Sequence, residues 1–150
     1  MTFPGYAGAM LFVDLTTGSV RREPLPEDWI RRFTGGYGIN NRLAYEVIPS
    51  DVDPLSPENA LILGAGVFAG TFIPGAAKVL LTTRFPINGA FATASGGGHF
   101  ALMLKTCGFD HVVVTGKAPR PVYLKISPEG ASLEDAADLW GRDTFETVDT

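Results

Sequence analysis

Cysteine is almost missing. The 150 residues contain one, Cys107, beside two histidines, His99 and His111. A single thiol excludes an internal disulfide and any self-sufficient CxxC metal or iron–sulfur site. It fits a reducing, cytoplasmic setting. Runs of one charge are missing as well. Lys plus Arg is 12 and Asp plus Glu is 16, so the formal net charge is 12 − 16 = −4. With no basic stretch, nucleic acid is not an expected partner. No apolar run reaches the ~18 residues of a membrane span. The opening MTFPGYAGAM lacks the charged and apolar regions of a secretory signal. Neither a fixed-period repeat nor a low-complexity segment is found.

What is plentiful is glycine, 18 of 150 residues or 12%, against a usual ~7%. Hydrophobic residues make up 45% and charged residues 19%, enough apolar surface to bury a core. Along the chain, Met10–Leu15 and Ser19–Glu23 read as a hairpin about Thr16-Thr17-Gly18. Residues 25–34 read as a short helix, with Glu27 and Asp28 at the positive end of its dipole and Arg31 and Arg32 at the negative end. A second helix is predicted over Ile39–Val47, striped by Ile39, Leu43 and Val47 and stopped by Pro49. Residues 60–65, 78–84, 111–115 and 122–126 read as strands, the last paired with 111–115 or a neighbour. Residues 98–107 read as a helix buried along Phe100, Met103, Leu104 and Cys107 and ended by Gly108. A final helix begins near Asp143. Regular βαβ alternation is lacking, so the fold class expected is α+β, with mixed or antiparallel sheets and a few short helices.

Three glycine clusters carry the chemical possibilities. Gly64-Ala65-Gly66-Val67-Phe68-Ala69 matches the dinucleotide fingerprint G-x-G-x-x-A after a strand. The context fails it, because Pro74 and its flanking glycines interrupt the helix that should follow. Close packing of chains is the better account. Ser95-Gly96-Gly97-Gly98 runs directly into the helix at 98–107. Bare amides and a helix start make an anion cradle suited to phosphate, and Lys78, after the Pro74-Gly75-Ala76-Ala77 turn, can add a full charge. A sharp strand-to-helix turn accounts for the same glycines. Gly35-Gly36-Tyr37-Gly38 precedes the second helix in the same way, with Asn40 and Asn41 beside it, and reads first as a helix–helix turn.

The other reactive groups say less. His99 sits by the glycine loop, within reach of a bound anion. His111 heads an apolar strand and Cys107 lies on an apolar helix face, so both read as structural. Asp51, Asp53 and Glu58 crowd a solvated turn. No Ser-His-Asp or paired-carboxylate spacing stands out.

Taken in order, VDLTTGSV, GGYG, DPLSPENALILGAG, the turn before Lys78, RFPINGAF, ASGGG, CGFDHVVVTGKAPRPVYL and DLWGRDTFET resemble the start of the tungsten-dependent aldehyde ferredoxin oxidoreductases. The likeness runs from about Ala7 to Thr150. It implies a single domain over 1–150, the truncated N-terminal, pterin-binding part of a longer enzyme. It further implies a tungsten (or molybdenum) bis-pterin whose phosphates a magnesium ion links, and a [4Fe–4S] cluster held by cysteines outside this chain. The implied reaction is oxidation of an aldehyde to a carboxylate, with electrons passed to ferredoxin or another iron–sulfur carrier.

Residue by residue, the resemblance assigns Lys78, where the family usually has arginine, and Ser95, Gly96, Gly97 and Gly98 to the cofactor. Ser95 stands where the family usually has asparagine, and its backbone carbonyl is the implied contact to magnesium. No catalytic residue is implied within this stretch. GGYGINNRL is at least as close to the tungsten subunit that reduces benzoyl-coenzyme A, which makes an acyl thioester an alternative to a small aldehyde substrate. Two further alternatives stand beside these: a stand-alone anion or nucleotide binder, and a structural domain that pairs with another chain. A piece of a larger enzyme leaves one face uncovered, and such a face is suited to self-association into a homo-oligomer.

Overall fold

The computed structural model describes residues 3–149; Thr150, where the resembling stretch ends, lies outside them. Strand β1 (Ala9–Asp14) turns into β2 (Ser19–Pro24), helices α1 (Glu27–Phe33) and α2 (Tyr37–Val47) follow, and then β3 (Leu61–Ala65), β4 (Val79–Arg84) and β5 (Phe91–Gly96). Helix α3 (Phe100–Thr106), β6 (His111–Thr115), β7 (Val122–Ser127), β8 (Gly130–Asp135) and α4 (Thr144–Val148) complete the chain. Six strands form one sheet in the order β2-β1-β6-β3-β4-β5, and β7-β8 form a separate ribbon. Among the described residues only β1 and β6 run parallel; every other neighbouring pair is antiparallel. The fold is α+β with a mixed sheet, as expected.

Alternation along each strand splits the apolar residues between two faces. On one face Met10, Ile62 and Val113 pack with Ile30 of α1 and with Ile39, Leu43 and Ala44 of α2. On the other, Ala9, Leu11, Val13, Ala65 and Val112 pack with Ala101 and Leu104 of α3, and Leu124, Ile126 and Leu133 of the β7-β8 ribbon cover its margin. The sheet is thus sandwiched between the α1-α2 pair and the α3-ribbon layer.

Three expectations change. Strand β5 was not predicted; its Ala, Thr, Ser and Gly content resembles a loop, and backbone pairing to β4 makes it a strand. Strand β7 pairs with β8 instead of β6, because β1 and β3 already occupy both edges of β6. In α3 the stripe turned to the sheet is Ala101, Leu104 and Cys107; Phe100 and Met103 are about half exposed. Those two line an apolar cavity of about 250 Å³ between α3 and β7.

Candidate functional site

The glycine clusters that are scattered in sequence meet at one end of the sheet. β3 ends there, β4 begins there and β5 ends there, because Ala65 pairs with Val79 and Val79 with Gly96. One step further out, the Gly66 amide donates to the Lys78 carbonyl at 3.4 Å. Gly36, at the start of α2, lies over the same rim. A Cβ built on it would stand 3.0 Å from Leu80 Cδ1 and 3.5 Å from Gly66 Cα. The GGYG turn, the Gly64–Gly66 stretch, the turn before Lys78 and the ASGGG segment are therefore neighbours.

Lys78 is exposed, and its ammonium makes no hydrogen bond or ion pair among the described residues. The β4–β5 register sets it beside Gly96 and Gly97. Ser95 and Gly96 belong to β5 and not to the loop, since the ladder runs through Gly96. The loop proper is Gly97–His99. No hydrogen bond among the described residues engages the amides of Gly97, Gly98 or His99. Gly98 has φ +98°, and a Cβ on Gly97 or Gly98 would meet nothing within 4 Å. Space inside the protein does not demand a glycine at 97. Chemically the rim offers unengaged N–H donors and one unpaired cation, a set matched to an oxyanion. Helix α3 has only seven residues, and His99 provides no side-chain cap.

The other glycines on this rim have packing reasons. A Cβ on Gly38 would fall 1.9 Å from the Phe33 carbonyl oxygen, so the GGYG turn lets α2 start against the end of α1. A Cβ on Gly64 would fall 2.2 Å from Asn40 Oδ1 and 2.7 Å from His111 Nδ1. No helix follows the G-x-G-x-x-A match; residues 66–75 are a string of turns. Gly64 is a notch for two buried side chains.

Those side chains form a polar network that the sequence pattern did not reveal. Asn40, fully buried, accepts from His111 Nδ1 at 2.8 Å. Its amide nitrogen donates to the carbonyls of Ile62 (3.3 Å) and Leu80 (3.1 Å) and to Thr82 Oγ1 (3.2 Å). Thr82 in turn meets Thr93 Oγ1 at 2.9 Å. Asn40 accepts with Oδ1, so His111 carries its proton on Nδ1. Its Nε2 is buried with no partner among the described residues. Burial, aided by the charge of Lys105, pushes the His111 pKa down to about 3. The sequence sets Asn40 beside the GGYG turn, where a ligand contact is the lesser of the two readings. Asn40 points into the sheet instead, while Asn41 bonds the Tyr37 carbonyl.

At the opposite side of the rim, Asp110 accepts from the Ala7 (3.0 Å) and Gly8 (2.7 Å) amides. Lys105 donates to the carbonyls of Gly5 and Val67. Burial raises the Asp110 pKa, and the amides and Lys105 oppose that shift. Burial lowers the Lys105 pKa, and Asp110 opposes it. Cys107 is buried, as read from the sequence. Asp53 caps its own turn by accepting from the Leu55 amide. His99 is exposed beside the loop.

A mixed sheet with no helix after the G-x-G-x-x-A segment is an α+β fold and not a dinucleotide-binding βαβ fold. Comparison makes the class specific. Residues 10–150 match the family described as aldehyde ferredoxin oxidoreductase, N-terminal domain, and the chain belongs to that family. It is 37% identical over 146 residues to a tungsten-containing aldehyde ferredoxin oxidoreductase of Pyrococcus furiosus, covering 97% of this chain and 24% of that protein. It is 32% identical over 148 residues to the WOR-like subunit of an aliphatic sulfonate oxidoreductase from the same organism, covering 97% of this chain and 23% of that protein. Among solved structures it is similar to a chain of the active-site complex BamBC of benzoyl-coenzyme A reductase with 1,5-dienoyl-CoA. The TM-score is 0.94 at 34% identity, covering 97% of this chain and 22% of that one. The chain thus spans about a quarter of the length of these relatives.

Proposed function

We propose that this chain is the cofactor-holding part of a tungsten (or molybdenum) pterin oxidoreductase, and that the rim at Lys78 and residues 95–98 grips the anionic end of the cofactor. The observation that carries the reading is that strand register brings Lys78, whose ammonium is unpaired among the described residues, next to the segment of Gly97 and Gly98, whose amides are unengaged. These residues fit a phosphorylated ligand: the amides donate, the lysine supplies charge, and bare glycines let the ligand approach the backbone. Lysine gives a point charge without arginine's two-pronged fork. The Ser95 carbonyl would be the contact to a magnesium ion held with the cofactor. When bound, the metallopterin supplies the two-electron chemistry. The protein's part here is to bind, orient and hold charge. No proton transfer is assigned to any residue of this chain.

The substrate under this reading is a small aldehyde, oxidised to a carboxylate, with ferredoxin or a similar iron–sulfur protein as acceptor. With one cysteine in the chain, the ligands of a [4Fe–4S] cluster belong to the rest of the holoprotein. The site of action is the cytoplasm; no helix among the described residues is long and apolar enough to cross a membrane. A second reading, an acyl-coenzyme A reductase, is favoured by the close fold match to the benzoyl-coenzyme A reductase chain. Metal analysis of the anaerobically purified holoprotein tests the cofactor. Lys78→Ala should lower tungsten or molybdenum per chain several-fold, and Lys78→Arg should restore it. Undiminished metal in Lys78→Ala overturns the assignment. Turnover with aldehydes against acyl-coenzyme A esters separates the two substrates.

A further inference from the structure

We infer that Asn40 is a positioning residue that fixes the distance between the start of α2 and the Gly97–His99 loop. The inference rests on the reading that this loop holds cofactor, and it goes beyond it by naming what holds the loop. Asn40 stands one turn into α2, and its backbone amide bonds the Gly36 carbonyl at 2.9 Å. Its side chain bonds three strands directly. Oδ1 accepts from His111 of β6, and the two protons of Nδ2 are shared among the Ile62 carbonyl of β3, the Leu80 carbonyl of β4 and Thr82 Oγ1 of β4. Thr82 extends the chain to Thr93 of β5, two residues before Ser95 and four before Gly97. Because Thr82 Oγ1 accepts from Asn40, its own proton is left for Thr93.

Apolar packing alone does not give this precision. β5 is an edge strand whose one large apolar residue, Phe91, stands at its start, beside the far end of α2; toward the loop, Ala92, Ala94, Ser95 and Gly96 offer little surface. A hydrogen-bonded buried network has one satisfied arrangement, so it selects a single register of helix over sheet. Gly64 makes room for it, since any Cβ there would overlap Asn40 Oδ1. The cost of a fully buried amide is accepted where no solvated alternative would hold the two loops together.

The test uses Asn40→Leu, alike in branching though bulkier and without hydrogen bonds, and Thr93→Val, which cuts only the last link and lies near the sheet edge. Ile39→Val, a packing change in the same helix turn, is the control. Amide hydrogen exchange of the holoprotein is read at Gly35–Ile39 and at Gly97–His99, where the amides have no protein acceptor and bound cofactor would be what protects them, together with metal per chain. Both variants should speed exchange at Gly97–His99 about tenfold or more and lower metal content. The control, compared at equal loss of melting temperature, should leave that loop protected. Unchanged exchange at Gly97–His99 in Thr93→Val overturns the inference even if Asn40→Leu fails to fold. Lys78→Ala in parallel separates the two claims. If it loses metal while Thr93→Val keeps both protection and metal, the positioning role alone is lost. If it retains metal, the cofactor reading is lost.

Discussion

The Cα of Gly64 and the side-chain oxygen of Asn40 are packed so closely that a methyl group at 64 would sit 2.2 Å from that oxygen. Gly64→Ala must therefore displace Asn40 and with it the bond to His111. Neither side chain has solvent to turn toward, as both are fully buried. Leaving buried polar groups without partners costs about 1–3 kcal/mol each, so the expected loss is roughly 2–4 kcal/mol. Urea unfolding monitored by circular dichroism reads it. A change below ~0.5 kcal/mol, the usual range of neutral surface substitutions, would show that the notch is not needed.

His111 gives the fold a signature in pH. Its pKa is pushed down to about 3 in the native state, against an ordinary value of about 6.5. Above pH ~6.5 neither state binds the proton and the group has no effect. As the pH falls below that value the unfolded state takes up a proton that the native state refuses. Stability should drop by about 1.4 kcal/mol per pH unit, down toward the native value near 3. Asp110 works in the other direction, because its native pKa is raised, so the whole-protein curve mixes both. The difference between wild type and His111→Asn isolates the histidine. That variant sets an amide nitrogen near the place of Nδ1, and its stability should fall less steeply between pH 6.5 and 4. Parallel curves would contradict the buried neutral imidazole.

The first hairpin, both N-terminal helices and the strands 61–65, 79–84 and 111–115 were legible because each has a strong local period or cap. Glu27 and Asp28 opening α1, or the apolar run HVVVT, need no tertiary information. β5 was hidden because its strandness is imposed by β4 and not by its own side chains. The convergence of the four glycine segments was hidden for a related reason: only the strand register brings Gly66, Lys78 and Gly97 side by side. Lys78 and the ASGGG stretch could be singled out by residue type, but not their adjacency. The Asn40–His111 pair had a faint trace. An asparagine next to the apolar stripe of a helix, a histidine heading an apolar strand and a glycine inside another strand are each locally unfavourable, and such conflicts gather where tertiary structure decides.

Asp110 and Lys105 tie down the segment that precedes β1. The carboxylate receives two amides, from Ala7 and Gly8, and its own amide bonds the Ala9 carbonyl at 2.8 Å. Asp110→Asn turns one acceptor into a donor facing an N–H. The expected cost is about 1–3 kcal/mol, with residues 3–8 becoming the first site of limited proteolysis. Equal protease resistance in the variant and wild type would remove the clamp from the account.

Gly38 and Gly97 distinguish a glycine kept for folding from one kept for a ligand. Alanine at 38 places its methyl 1.9 Å from the Phe33 carbonyl oxygen, a backbone atom that moves only if α1 and α2 separate. Gly38→Ala should thus lower stability by several kcal/mol, in the range of severe core substitutions, and metal loss in that variant would follow from unfolding. At 97 the methyl meets nothing within 4 Å, and the residue's φ lies outside the left-handed region. Gly97→Ala should leave the melting temperature unchanged, since the protein itself has no objection to the methyl. It should still reduce tungsten or molybdenum per chain, because the methyl occupies the space through which a ligand reaches the loop amides. The two measurements, thermal unfolding and metal analysis on the same preparation, must diverge at 97 and move together at 38. Full metal content in a stable Gly97→Ala protein would mean that the loop is bare for no ligand, and the rim would lose its claim to the cofactor.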